Sequence, residues 1–484
     1  MKHHGKTEHN FKTLQVAKAS KNSGDARTAP NICLKQRKIS DPGKTLLDIR
    51  TLYTVYKIKS NPHLICATVL KQKASQFPTP TAMQMESHMD FFKDLTVLSL
   101  EQATVLPYLT YRLAHDGMNV IRLEHPVYGD PNRFIGENVL NENRMNSYFL
   151  CINAGKQALT LNLAEDQGRE VFRSLIKELK VDIFATNQLP KNYQKLGIDY
   201  DSLKALRPDI VWLGVTGFGP DSNEAAYDPI LQARSGLMEL TGETDGDPQV
   251  IGIPLPDMGT SEHAYGLLMK ALYKRKVTGE GSCIHLAMFE SSVSWLTVPI
   301  TLAGSFGKNI TRRGNTHEFF APVSVYQTQN GFVYVAVGND RQWKAIVSQE
   351  IFKSLDKPTY EKNAGRINDV KNLNQAINQI TRNHTSEDLI KLFTAITVPI
   401  SKIQTVKEVI EDPLVKRRLL FAEDPVSGMR ITLAPPPHMT EFLERSDRRL
   451  SFPPRFGEHN GQIYGKRLGY SADELARLKE NGII

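Results

Sequence analysis

Residues 95–124 read LTVLSLEQATVLPYLTYRLAHDGMNVIRLE. LTVLSL is a short apolar run of strand length. PYLTYRLAHDG reads as a helix that starts at Pro107, where a missing backbone N–H costs nothing. MNVIRLE is a second strand. Together they make a β-α-β unit, and the pattern continues. A helix predicted from about Asp166 to Leu179 has Val171, Phe172, Leu175, Ile176 and Leu179 on one face. The strands VDIFATN and DIVWLGVTG flank the polar segment KNYQKLGIDYDSLKALRP. CIHLAMF is another strand and leads into a helix at ESSVSWL. Such alternation predicts an α/β fold with a mostly parallel sheet covered on both faces.

Further along, residues 251–281 read IGIPLPDMGTSEHAYGLLMKALYKRKVTGEG. Ala264, Leu267, Leu268, Ala271 and Leu272 fall on one helical stripe. Lys270, Lys274, Arg275 and Lys276 crowd its last turns and Gly279 follows, so basic side chains meet the negative helix end. Asp257 stands upstream of that stripe, after a strand-like VIGIPL run. On spacing alone its carboxylate reads as an N-cap.

The chain has 484 residues, of which 40% are hydrophobic and 23% charged, the balance of a globular protein of enzyme size. The sequence has neither an apolar run of the ~20 residues needed to span a membrane nor a secretory signal pattern. Cys33, Cys66, Cys151 and Cys283 are far apart and form no paired-ligand spacing. A reducing, cytoplasmic setting is expected, with no metal and no membrane partner.

The net charge of +8 is unevenly spread. Residues 1–80 hold 15 Lys and Arg against 4 Asp and Glu, which leaves 45 against 48 for the rest. The body is therefore nearly neutral, and no nucleic-acid partner is expected. Residues 1–88 are expected to be a basic extension, either a disordered tail or sequence upstream of a mis-assigned start, since Met83, Met85 and Met89 precede the first strand. Lys outnumbers Arg there, which disfavours a transit peptide.

Three local motifs are set aside. Gly214 to Pro220, GVTGFGP, lacks the spacing and the Lys-Ser/Thr of a phosphate loop. Ser235 and Ser261 sit in no nucleophile elbow, and His3, His4 and His9 read as solvated. APVSVYQTQNGFVYVAVG predicts a hairpin with its turn at Asn330 and Gly331. It opens a smaller α/β unit that ends near Ile400. Ser471 and Glu474 predict a capping box on a last helix.

Seven blocks recur in a fixed order: VLSL; NVIRLEHPVYGD; NAGKQALTLNL; ATNQLPKNYQKLGIDYDSL; VTGFG with AAYDPILQARSGLMELTG; PLPDMGT with YKRKVTGEG; and RRGNTHEFFAPVSVY with VAVGNDRQW. From about Leu95 to Ile484 the chain resembles the family III CoA-transferases of CaiB/BaiF type. That resemblance implies a Rossmann-like large domain formed by residues 89–305 and 405–484, a small domain at 306–404, and an interlocked homodimer. It implies coenzyme A as part of the substrate and no other cofactor, with an acyl-CoA and a carboxylic acid as partners.

By the same resemblance Asp257 is the covalent nucleophile. The CoA pocket is implied at Gln102, Ala103, Thr104, Val105, Leu161, Asn162, Asn187, Gln188, Lys195, Tyr227 and Asp228. A glycine segment over the acyl end is implied at Gly314, Asn315 and His317. GNTHEFFAP is similar to members that use succinyl-CoA and dicarboxylates.

Several positions depart from the family pattern. Leu106 stands where a small residue is usual, TNQLPK replaces ENFRPG, and Ala225 or Ala226 stands where a basic residue precedes the tyrosine. Racemases of the family resemble GHDINY where this chain has AAYDPI, so Tyr227 replaces the histidine that would move an α-proton. Transfer is favoured over acyl-CoA racemisation, and a non-catalytic CoA-binding relative is the other alternative.

Overall fold

The computed structural model describes residues 91–484; the expectation for residues 1–88 lies outside them. A six-stranded sheet is formed by β1 (Thr96–Leu100), β2 (Asn119–Glu124), β3 (Lys156–Thr160), β4 (Ile183–Thr186), β5 (Val211–Thr216) and β6 (Ser282–Ala287). Its order is β3-β2-β1-β4-β5-β6, and every pairing is parallel. This is the doubly wound order, in which the chain reverses direction of travel between β1 and β4 and opens a crevice at their carboxyl ends.

The near-continuous apolar strands β1, β4 and β5 are explained by burial on both faces. Val97, Val120, Ile183 and Val211 pack with α1 (Val105–His115) and with α5 (Leu255–Thr278), whose Ala264, Leu268 and Ala271 join that core. Their strand neighbours Leu98, Ile121, Phe184 and Trp212 turn to the opposite core, against α2 (Asp166–Glu178) and the C-terminal Tyr464, Leu478 and Ile483. Successive side chains alternate faces, as the pleat requires.

The polar segment after β4 contains α3 (Tyr193–Leu196) and a second short helix, Tyr200–Leu206. Between β5 and α5 lies α4 (Asp228–Arg234). After β6 come α6 (Met288–Ser294) and α7 (Thr297–Phe306).

A three-stranded antiparallel sheet follows, of β7 (Val323–Thr328), β8 (Gly331–Ala336) and β9 (Ile400–Lys402), in the order β7-β8-β9. Its core includes Tyr326, Val335, Trp343, Leu373 and Phe393. The two turn residues of the hairpin are Gln329 and Asn330, not Asn330 and Gly331. Gly331 pairs with Thr328 as the first residue of β8. Asn330 instead uses its side chain to accept from Ser386 N–H and to donate to Glu387. The last helix, α8 (Ala472–Glu480), carries the Ser471–Glu474 capping box.

Candidate active site

The strand-like reading of VIGIPL and the N-cap reading of Asp257 are both corrected. Residues 251–254 form no strand, with a bend at Gly252 and Ile253, and α5 begins at Leu255 with Pro254 as its N-cap. Pro256 presets a helical φ inside the first turn, so the helix starts earlier than its apolar stripe suggests. Asp257 is therefore the third helical residue, in the turn where backbone N–H groups are free and negative charge is favoured.

The Asp257 carboxyl is half-buried, and burial first, then the charge of Asp228, push its pKa up to about 7. Asp228 is the first residue of α4 and is buried. Its Oδ2 accepts from the Asp257 backbone N–H at 3.2 Å, and its Oδ1 accepts from Gln232 Nε2 at 2.6 Å. Gln232 Oε1 in turn accepts from Ile251 N–H at 2.8 Å. One buried amide thus fixes both the acidic pair and the segment that enters α5.

Ser261, one turn beyond Asp257, ties α5 to α1. Its Oγ lies 2.5 Å from the Val105 carbonyl and 2.9 Å from that of Asp257, a single O–H shared between two acceptors. Gly259 faces the Trp295 ring, which a Cβ would meet at 3.4 Å. His263 stacks on the same ring and shares a 2.7 Å hydrogen bond with Ser291.

At the switch point between β1 and β4 lies a crevice of about 340 Å³. Four residues expected from the sequence line it: Gln102, Leu161, Gln188 and Lys195. Lys195 lies in α3, the short helix after β4, and can present a point charge to phosphate.

Other expected residues stand elsewhere. Ala103, Thr104 and Val105 form the turn and helix start behind Gln102. Asn187 spends its amide on Gln102 rather than on the cavity. Asn162 accepts from Ala164 N–H with its side chain and donates its own N–H to Ile483, so it shapes the loop without lining the crevice.

Tyr227 is exposed at the start of α4, beside the Asp228–Asp257 pair. Gly314 donates its N–H to Gly242, the Asn315 carbonyl accepts from Tyr334 Oη at 3.3 Å, and His317 accepts from Phe319 N–H. These three residues do not line the crevice.

The sequence reading missed His125, Tyr128 and Asn192 as crevice residues. His125 and Tyr128 lie in the quoted block NVIRLEHPVYGD, directly after β2. The rule that ligands sit beyond the carboxyl ends of parallel strands would have found them.

Fold and site together define an α/β enzyme with a switch-point crevice and a half-buried carboxylate at a helix start. The family model for CoA-transferase family III matches residues 92–460, and the chain belongs to that family. It is a CoA-transferase, as its curated relatives are. A succinyl-CoA:glutarate CoA-transferase of Mus musculus is 28% identical over 82% of this chain and 92% of its own length. A succinyl-CoA:mesaconate CoA-transferase of Haloarcula marismortui is 30% identical over 78% of this chain and 96% of its own. Among solved structures, a CaiB/BaiF family protein from Brucella suis aligns with a TM-score of 0.68 at 29% identity, covering 77% of this chain and 98% of that one.

Proposed function

We propose that this enzyme moves CoA from an acyl-CoA, in the narrower reading succinyl-CoA, to a small carboxylic or dicarboxylic acid through an aspartyl-CoA thioester on Asp257. The observation that carries this reading is the Asp257 carboxyl, raised to about 7, on a residue whose backbone carbonyl is tied through the Ser261 hydroxyl to Val105 at the start of α1, just beyond the turn that opens the crevice. The names of the relatives in Mus musculus and Haloarcula marismortui support the choice of succinyl-CoA and dicarboxylates.

In the first step an Asp257 oxygen attacks the thioester carbonyl, the C–S bond breaks, and CoA leaves as thiolate with the electron pair. The thiolate then attacks the Asp257 carbonyl of the mixed anhydride, releasing the donor acid and leaving Asp257 as a CoA thioester. The acceptor carboxylate attacks that thioester, CoA leaves again, and its thiolate takes the acceptor acyl group, freeing Asp257. Enzyme and substrate carboxylates share an intrinsic pKa near ~4, so the exchanged anhydrides are close in energy. The first turn of α5 supplies partial positive charge where the oxyanion develops.

In the same reading, residues 89–305 with 405–484 form the large domain, and 306–404 the small one. A second copy of the chain covers α7, which buries none of its own residues and leaves Val298, Ile300 and Phe306 exposed.

Hydroxylamine trapping after incubation with succinyl-CoA tests the mechanism. An adduct at Asp257, absent from Asp257→Ala together with turnover, is expected. Retained turnover in Asp257→Ala sinks it. A screen of acids against succinyl-CoA, reading new CoA esters by mass, identifies the acceptor.

A further inference from the structure

Ala103 adopts φ +61°, a left-handed conformation that an alanine disfavours. The turn it forms with Gln102 has each of its backbone polar groups held by a side chain. Asn187 grips Gln102, accepting from its N–H at 3.2 Å and donating to its carbonyl at 2.9 Å. Asp130 Oδ1 accepts from the Ala103 N–H at 3.1 Å, and Asn132 Nδ2 donates to the Ala103 carbonyl at 2.5 Å. Three side chains from two different strand-end loops thus close around a two-residue turn.

The second grip is anchored in a fully buried charge cluster. Asp130 Oδ2 accepts from Arg122 at 2.7 Å, and Arg122 also faces Glu124 at 3.4 Å and Glu101 at 3.8 Å. Glu101, the residue before the turn, is held by Lys156 at 3.0 Å. Arg133 forks onto both oxygens of Glu124 at 2.7 Å each. Burying this many charges is costly unless every one is paired. Here the pairing ends on the backbone of a turn whose Gln102 lines the crevice.

We infer that Asp130, Asn132 and Asn187 are positioning residues that hold the Gln102–Ala103 turn in its left-handed form and thereby set affinity for the CoA moiety. None of the three lines the crevice; they act through the turn. The inference rests on the reading of Gln102, Leu161, Gln188 and Lys195 as CoA contacts, which places CoA in the crevice between β1 and β4 that they line.

The test is equilibrium binding of free coenzyme A to the purified full-length protein, with Tm measured in parallel. Asn132→Ala is expected to raise the CoA Kd about fivefold, the loss of one hydrogen bond. Adding Ala103→Gly, which removes the left-handed penalty, is expected to recover roughly threefold of that. A role in overall stability alone would move Tm and leave this recovery absent. Asn187→Ala removes the other grip and gives the same test should Asn132→Ala fail to fold. Gln188→Trp, which fills part of the crevice, tests the placement itself. If it raises Kd while Asn132→Ala and Asn187→Ala do not, the positioning role falls alone. If it leaves Kd unchanged, the placement of CoA falls and the inference with it. Loss of affinity in the grip variants without recovery by Ala103→Gly overturns the left-handed turn as the cause.

Discussion

The backbone N–H of Asp257 donates to Oδ2 of Asp228 at 3.2 Å, which sets two carboxylates against each other at the start of α5. Both are raised, each first by burial. In the proposed mechanism Asp257 attacks as a carboxylate, so kcat/KM is expected to fall about tenfold per pH unit below about 7 and to level off above it. In Asp228→Asn the inflection moves to lower pH but stays above the ordinary aspartate range, because burial is the larger cause. An unmoved inflection in a pH profile of that variant would separate the two carboxylates functionally.

The same shift has a consequence for stability. Asp257 binds its proton more tightly in the folded chain than in the unfolded one. Its contribution is therefore full below the unfolded value near ~4, declines as pH rises, and is lost by about pH 7. Asp257→Asn never carries the charge. It is expected to be more stable than the wild type by about 2 kcal/mol at about pH 8, allowing for solvent screening of a half-buried group, and equal to it near ~pH 4. Urea denaturation at the two pH values reads the difference.

Much of the fold was legible from residue order, less of the crevice, and the limits were physical. Strands β1, β4 and β5 announce themselves because both faces are buried and the runs are mostly apolar, whereas β3, KQALT, carries Lys156 and Gln157 and shows no such run. Asp257 is singled out by the block PLPDMGT, while its position in the helix was misread because periodicity dates a helix from its first apolar stripe, and Ala264 comes well after Leu255. The grip of Asp130 and Asn132 on Ala103 joins residues far apart in sequence, and a hydrogen bond between loops leaves no periodic trace. His125 and Tyr128 lay in a quoted block directly after β2, where the rule for parallel strands points, and the strand order β3-β2-β1-β4-β5-β6 shows which other loops share the crevice with them.

Lys156 is fully buried, and all three of its donors are used: on Glu101 at 3.0 Å, the Pro107 carbonyl at 2.7 Å and Asn153 at 2.8 Å. Burial pulls its pKa down to about 8 against the opposing pull of Glu101. Lys156→Met takes from buried Glu101 the nearer of its two cationic partners, leaving Arg122 at 3.8 Å, and is expected to cost about 3 kcal/mol. The double variant Lys156→Met/Glu101→Gln is expected to cost less than the sum of the single changes, which chemical denaturation of the four proteins measures.

Lys195 lines the crevice and has no carboxylate partner among the described residues. If it meets a phosphate of CoA, Lys195→Ala raises KM for the acyl-CoA by about five- to tenfold with kcat little changed, and Lys195→Arg keeps most of the affinity. The effect shrinks as salt rises, because a solvated charge pair is screened. Equal loss at about 20 mM and about 500 mM salt, where the screening length differs several-fold, would assign Lys195 a packing role instead.

Ser261 joins the two halves of the site through one hydroxyl, between the Val105 and Asp257 carbonyls. It is fully buried, and both acceptors of its O–H belong to the backbone of the helices it links. Ser261→Ala removes the tie without adding volume, so α1 and the first turn of α5 lose their shared register while each helix keeps its own backbone bonds. A nucleophile displaced by a fraction of an ångström reacts more slowly even when substrate binds normally. The expected result is a fall of about tenfold in kcat with KM for acyl-CoA within about twofold, together with a modest loss in Tm. Ser261→Thr, which restores the hydroxyl, is expected to regain part of the rate. A Ser261→Ala enzyme with unchanged kcat would show that Asp257 is aligned by Asp228 and Gln232 alone.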